Sequence, residues 1–304
     1  MKIVDVRKIW DQAPHNAFTD LVNFEGRFFC VFREGEGHVS PDGALRVIAS
    51  SDGVDWASAA LITSDHSDLR DAKITVTPEG QLMLCGAEAL HDRSVHTHQS
   101  LAWFSNEGAH WSERVEIGDP DVWLWRVTWH RSVAYGMGYG CRESSRRLRF
   151  YRSEDGRHFR ALGDYFTDGD YANETSIVFV GDTAYCLLRR DGEGATAMIG
   201  TADPPYSHWL WKDLGVYLGG PHMLCLPDGR LVAAVRIRFG AGDQRRTALG
   251  VVDPHSGSFS EALALPSGGD TSYAGMALHE GMLWVSYYSS HEEKTSIYVA
   301  QVAL

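Results

Sequence analysis

One strand-turn-strand pattern returns about every 50 residues from one end of the chain to the other, and a period of that length restricts the fold to repeat architectures. The pattern has two markers. The first is a turn between apolar runs, seen in Glu25-Gly26-Arg27, Glu79-Gly80-Gln81, Val180-Gly181-Asp182, Asp228-Gly229-Arg230 and Glu280-Gly281-Met282, with a weaker form at His130-Arg131-Ser132. Gly26, Gly80, Ser132, Gly181, Gly229 and Gly281 stand 54, 52, 49, 48 and 52 residues apart, which makes six units. The second marker is an acidic turn closed by an aromatic residue: Ser50-Ser51-Asp52-Gly53 with Trp56, Ser105-Asn106-Glu107-Gly108 with Trp111, and Ser153-Glu154-Asp155-Gly156 with Phe159. Degenerate copies pair Asp203 with Trp209 and Asp253 with Phe259.

The two markers alternate in fixed phase, so each unit reads as a four-stranded antiparallel blade. The glycine turn joins inner strands and the acidic turn joins outer ones. An all-β, six-bladed β-propeller follows, rather than two β-sandwiches with coincidental spacing. The last unit lacks an acidic turn, and the alternating Lys2 to Val6 can supply its outer strand, so residues 1–304 are expected to form a single domain closed by both termini.

Composition supports that reading and narrows the partners. Hydrophobic residues make up 44% and glycine holds 31 positions, which suits many short strands and tight turns. A net charge of −12 argues against a nucleic-acid or anionic-membrane partner, because phosphate binding needs a basic stripe. No apolar stretch is long enough for a membrane helix, and Met1 to Trp10 has no signal-peptide character. Cys30, Cys85, Cys141, Cys186 and Cys225 are odd in number and sit mostly in apolar runs, so they read as reduced thiols of a cytoplasmic protein, a leader removed from the chain remaining compatible with this.

In a propeller the innermost strand of each blade begins near the central axis, so equivalent strand starts converge on one pocket. These starts carry His15-Asn16, Arg70-Asp71, Trp125-Arg126, Asn173-Glu174, Pro221-His222 and Ser272-Tyr273. Second strands end at Arg33, Arg189-Arg190 and Arg236. Guanidinium groups bind carboxylates, sulfates or phosphates through paired hydrogen bonds, so Arg33, Arg70, Arg126, Arg189 and Arg236, with Asn16, His38 and His222, are the candidate binders of an anionic carbohydrate.

These residues resemble the sialidase superfamily, six-bladed propellers marked by Asp boxes. Asn173-Glu174-Thr175-Ser176-Ile177-Val178 followed by Leu187-Leu188-Arg189-Arg190 is similar to the family segment in which a Glu starts an inner strand and an Arg ends the next. Ser272-Tyr273 ahead of Met276-Ala277-Leu278 resembles the segment carrying the family's tyrosine nucleophile, and Arg236 stands where an arginine of its carboxylate-binding triad is expected. The resemblance implies a retaining exo-glycosidase with Tyr273 as nucleophile, Glu174 accepting its proton and Asp71 as acid/base. One departure is plain: the family's blade-one arginine motif is replaced here by His15-Asn16-Ala17-Phe18.

Other functions stay open at this level. Histidines beside Tyr273, namely His15, His38 and His222, can serve as base and acid in β-elimination from a uronate polysaccharide, or in another kind of propeller glycosidase. A glycan-binding propeller without catalysis is a further one, since fold does not fix function. His91, His96 and His98 lie in a polar stretch that reads as a loop rather than a metal site; no cofactor and no metal are expected, and nothing in the sequence sets the oligomeric state.

Overall fold

The computed structural model describes residues 1–143, 146–166, 171–240 and 244–304. Its strands form six four-stranded antiparallel sheets arranged around an axis, a six-bladed β-propeller. Blade one runs His15–Phe24, Arg27–Gly35, Ala44–Ser50 and Ala57–Ile62 from axis to rim. The innermost strands of blades two to six are Ser67–Val76, Val122–His130, Tyr171–Val180, Leu218–Cys225 and Thr271–His279. In the sixth sheet the N-terminal strand Lys2–Trp10 is outermost and pairs with Ser296–Ala303, from Lys2 against Ala303 to Trp10 against Ile297.

The two sequence markers occupy the two kinds of hairpin. Glu25 and Gly26 both have positive φ, 51° and 77°, the conformation whose twist matches the flanking strands of a two-residue turn. Arg131 and Ser132 adopt it in blade three without a glycine. In the acidic turn of blade one, the Ser50 hydroxyl accepts the Gly53 N–H at 2.8 Å, and one oxygen of Asp52 accepts the N–H groups of Val54 and Asp55 at 2.8 and 3.0 Å. Trp56 donates its indole N–H back to the Gly53 carbonyl at 3.2 Å. Glu107 and Asp155 gather the corresponding N–H groups in blades two and three.

Every innermost strand is also interrupted at one height. Its pairing with the second strand slips between Ala17 and Asp20, Arg70 and Lys73, Leu124 and Arg126, Ala172 and Thr175, Gly219 and His222, and Ser272 and Gly275. A bulge leaves its extra residues unpaired and turns their side chains out of the alternating pattern. Phe18, Asp71, Gly220 and Tyr273, all within these bulges, have φ of 63°, 52°, 55° and 47°. Neighbouring innermost strands are tied there: the Thr19 hydroxyl bonds the Tyr273 carbonyl at 2.9 Å, and Asp20 accepts the Ile74 N–H at 2.9 Å.

Candidate functional site

The bulges aim residues of several blades into one cavity of about 650 Å³ at an end of the axis, within the range of small-molecule sites. Glu174, Tyr273, Asp71 and Arg70, all at strand starts, line it, and so does His38 from a blade-one loop.

At its base Tyr273 donates its hydroxyl hydrogen bond to one oxygen of Glu174 at 2.6 Å. Arg189 closes a triangle, donating to that oxygen at 2.7 Å and to the Tyr273 hydroxyl at 2.8 Å. The other Glu174 oxygen accepts the Gly220 N–H at 3.0 Å, a contact that the blade-five bulge makes available. Burial, and next the Glu174 charge, push the Tyr273 phenol well above its ordinary range, against the pull of Arg189 and Arg236. The phenol is therefore neutral at physiological pH and hydrogen-bonded to a base.

Asp71 faces this pair from blade two and is 5% exposed. Its carboxyl is raised by burial first, with Arg70 and Lys73 opposing and Glu174 adding to the rise. A carboxyl displaced upward by burial holds its proton to higher pH than an ordinary aspartate.

The arginines are more fully partnered than their spacing suggests. Arg33 is completely buried and donates to Asp68 at 2.8 Å and to the Gly37 and Ser40 carbonyls, so it holds the rim loop and does not face the cavity. Arg70 lines the cavity and pairs with Asp68 at 3.1 Å. Arg236 donates to the Thr271 carbonyl, to Tyr288 and to Asp270, its guanidinium lying 5.1 Å from the Tyr273 ring centre. Arg190 turns away toward Thr196 and Asp213 in its own blade.

Asp270 carries His38 as well, at 2.8 Å from Nδ1, with His15 Nε2 at 4.0 Å. His15, His38 and Asp270 bring three ligand atoms within 4.8 Å and could in geometry hold a cation. The Arg236 guanidinium already supplies positive charge to that carboxylate, and His38 hydrogen-bonds it from the blade-one loop, so Asp270 links blades one and six.

Besides Arg33, three expected substrate binders lie outside the cavity. Asn16 is fully buried and bonds the Ala13 and Thr295 carbonyls, tying the start of blade one to blade six. By register, the blade-one counterpart of Asp71 and Tyr273 is Phe18, which lines the cavity and packs edge-on against Tyr273 at 5.1 Å. Arg126 and His222 belong to the layer beneath: Arg126 pairs with Asp20 at 2.8 Å, and both line a separate axial cavity of about 340 Å³. The cause is the bulge, which displaces register by one or two residues and sends Arg126 and His222 below the floor.

Sequence reasoning passed over Trp123 and Tyr139, which stack at 6.0 Å; on the same wall stand Trp125, read there only as a strand start, and His91 and His98, read there as a polar loop. The indole pair in Trp123-Leu124-Trp125 was the available signal, since aromatic faces with a polar edge favour a ligand that is part apolar and part hydroxylated.

Fold and site together define a six-bladed propeller with a carboxylate, phenol and guanidinium cluster at the mouth of its axis. A Dyadobacter fermentans protein of unknown function is similar over 100% of this chain and 99% of its own, with TM-score 0.86 and 16% identity. A Trypanosoma rangeli sialidase bound to a difluorinated nononic acid has TM-score 0.73 and 13% identity, over 95% of this chain and 54% of the sialidase. A Penicillium chrysogenum α-L-arabinanase bound to arabinobiose has TM-score 0.75 and 12% identity, over 98% of each chain. No protein family model matches the sequence, and no curated protein is detectably similar to it. At these identities the likeness is one of fold, and it is to propeller glycoside hydrolases.

Proposed function

We propose that this chain is a retaining exo-glycosidase of sialidase type that acts on a carboxylated sugar. The observation carrying the proposal is the Tyr273, Glu174 and Arg189 triangle, with its 2.6 Å phenol-to-carboxylate hydrogen bond, facing the raised carboxyl of Asp71 across one cavity. In the first step the Tyr273 oxygen attacks the anomeric carbon and passes its proton to Glu174, while Asp71 protonates the departing oxygen. In the second, Asp71 takes a proton from water, whose oxygen displaces Tyr273, and Glu174 returns the proton to the phenol. A neutral phenol suits an anionic sugar, which would repel a carboxylate nucleophile. Arg70 and Arg93 stand on the wall to receive the charge.

A second reading has its own observation. Arg33, Arg189 and Arg236 already have carboxylate partners in the chain, which favours a neutral sugar with Glu174 itself as nucleophile, and an arabinanase is among the similar structures.

A panel of 4-methylumbelliferyl sialosides, ketodeoxynonulosonates, uronides and arabinofuranosides separates the two. The first reading expects release from a carboxylated member, with Tyr273→Phe abolishing turnover at nearly unchanged affinity. Turnover confined to arabinofuranosides, surviving Tyr273→Phe and lost in Glu174→Gln, selects the second. An unsaturated uronate product absorbing in the near ultraviolet would instead identify a lyase.

A further inference from the structure

The second strand of blade four, Thr183–Asp191, ends in Arg189-Arg190-Asp191. Side chains alternate along a strand, so Arg189 and Asp191 share one face while Arg190 takes the other, where it meets Thr196 and Asp213. On the shared face Asp191 grips one edge of the Arg189 guanidinium: its Oδ1 accepts Nε at 3.2 Å, and Nη2 lies 2.9 Å from its Oδ2. A forked pair of this kind fixes the plane of a guanidinium as well as its distance.

The fork leaves Nη1 to face the reacting pair, where it donates to Glu174 at 2.7 Å and to the Tyr273 hydroxyl at 2.8 Å. Asp191 reaches Glu174 by a second route. Its Oδ2 accepts the Asn173 side-chain N–H at 2.8 Å, and the Asn173 side-chain oxygen accepts the Glu174 backbone N–H at 2.7 Å. Asn173 and Glu174 are the residues that the blade-four bulge takes out of register between Ala172 and Thr175, so this bridge stands where the ladder is interrupted. Tyr217, just ahead of the innermost strand of blade five, donates its hydroxyl to Asp191 Oδ1 at 3.2 Å. With Nε, Nη1 and Nη2 all engaged inside the protein, Arg189 has no fork left for a sugar carboxylate.

We infer that Asp191 is a positioning residue that dedicates Arg189 to the nucleophile pair and withholds it from the substrate. The inference rests on the reading of Tyr273 as nucleophile. As the Tyr273 oxygen bonds to the anomeric carbon, its proton passes to Glu174 and the glycosidic oxygen leaves with a proton from Asp71. Arg189 Nη1 already faces the phenol oxygen, where it offsets the negative charge that gathers as the proton departs. A guanidinium released from its fork loses that aim, so the cost falls on turnover and not on affinity.

The test measures kcat and KM separately for the wild type, Asp191→Ala and Asp191→Glu on the substrate that the panel identifies, with and without added formate. Asp191→Ala should lower kcat about tenfold or more while KM stays within about twofold. The Asp191 side chain is 32% exposed, so formate can reach the vacated place and should restore part of the loss, as should the carboxylate of Asp191→Glu. A folded Asp191→Ala with raised KM and unchanged kcat overturns the inference, because Arg189 would then be a substrate binder. A loss of activity that follows a lowered melting temperature and ignores formate overturns it as well, since a merely structural residue behaves in that way.

A second measurement needs no substrate. ¹⁵N relaxation of the arginine Nε–H groups, with the Arg189 signal assigned by its disappearance in Arg189→Lys, reads the rigidity of this guanidinium. The signal should be rigid in the wild type and mobile in Asp191→Ala; equal rigidity removes the positioning role. If no glycoside is cleaved, or if turnover survives Tyr273→Phe, the nucleophile reading fails while the relaxation still decides whether Asp191 holds Arg189.

Discussion

At the scale of single residues, burial decides which groups carry charge. The same desolvation that raises Tyr273 and Asp71 lowers His222, because each shift favours the neutral form. For His222 this has a thermodynamic consequence with a definite sign. Its folded pKa of about 3 lies below the ordinary 6.5, so between those values the unfolded chain binds the extra proton and stability falls as pH falls. The contribution is complete above pH 6.5 and gone below about 3, with a slope of at most about 1.4 kcal/mol per pH unit. Urea midpoints measured across that window should decline for the wild type and decline less steeply for His222→Gln. Equal slopes would show that the ring nitrogen is not what resists acid.

At the scale of elements, the two turns that mark the repeat do different work. Gly26 and Gly53 both have positive φ, 77° and 73°. A Cβ at Gly26 would meet nothing within 4 Å, whereas one at Gly53 would lie 2.4 Å from the Trp284 ring of blade six. The glycine turn thus needs only its backbone conformation, while the acidic turn also packs against the neighbouring blade. Gly26→Ala should cost about 1 kcal/mol of left-handed strain. Gly53→Ala should cost that plus overpacking, about 2 to 4 kcal/mol in all. Urea denaturation of the two variants checks the order, and equal losses would mean that the Trp284 contact is slack. The turns were legible because backbone conformation selects residue type locally. The bulges were not: no glycine or proline flags the one at Phe18, and Tyr273 adopts positive φ under tertiary constraint that its own side chain does not favour. For that reason Asn16, Arg126 and His222 were expected in the cavity while Phe18 was not.

At the scale of the whole molecule, the ring is closed by Lys2–Trp10 lying on Ser296–Ala303, which covers the edge that the last sheet would otherwise present. These two strands therefore support a site whose lining residues run from Phe18 to Tyr273. Removing residues 1–10 should lower the melting temperature and promote self-association through the exposed edge of Ser296–Ala303, read by differential scanning fluorimetry and light scattering. A truncated chain that stays monomeric with an unchanged melting temperature would show that closure contributes nothing.

The amino-acid sequence alone determined the number of blades, the hairpin type at each junction, and the gathering of Glu174, Tyr273 and Asp71 at one end of the axis, because each follows from residues close in the chain repeated at a regular interval. Tertiary structure alone decided which charged side chain faces the cavity and which lies beneath it. Register around a bulge is settled by contacts between blades about 50 residues apart, and a displacement of one or two residues carries a guanidinium from the wall of the site to the layer under its floor.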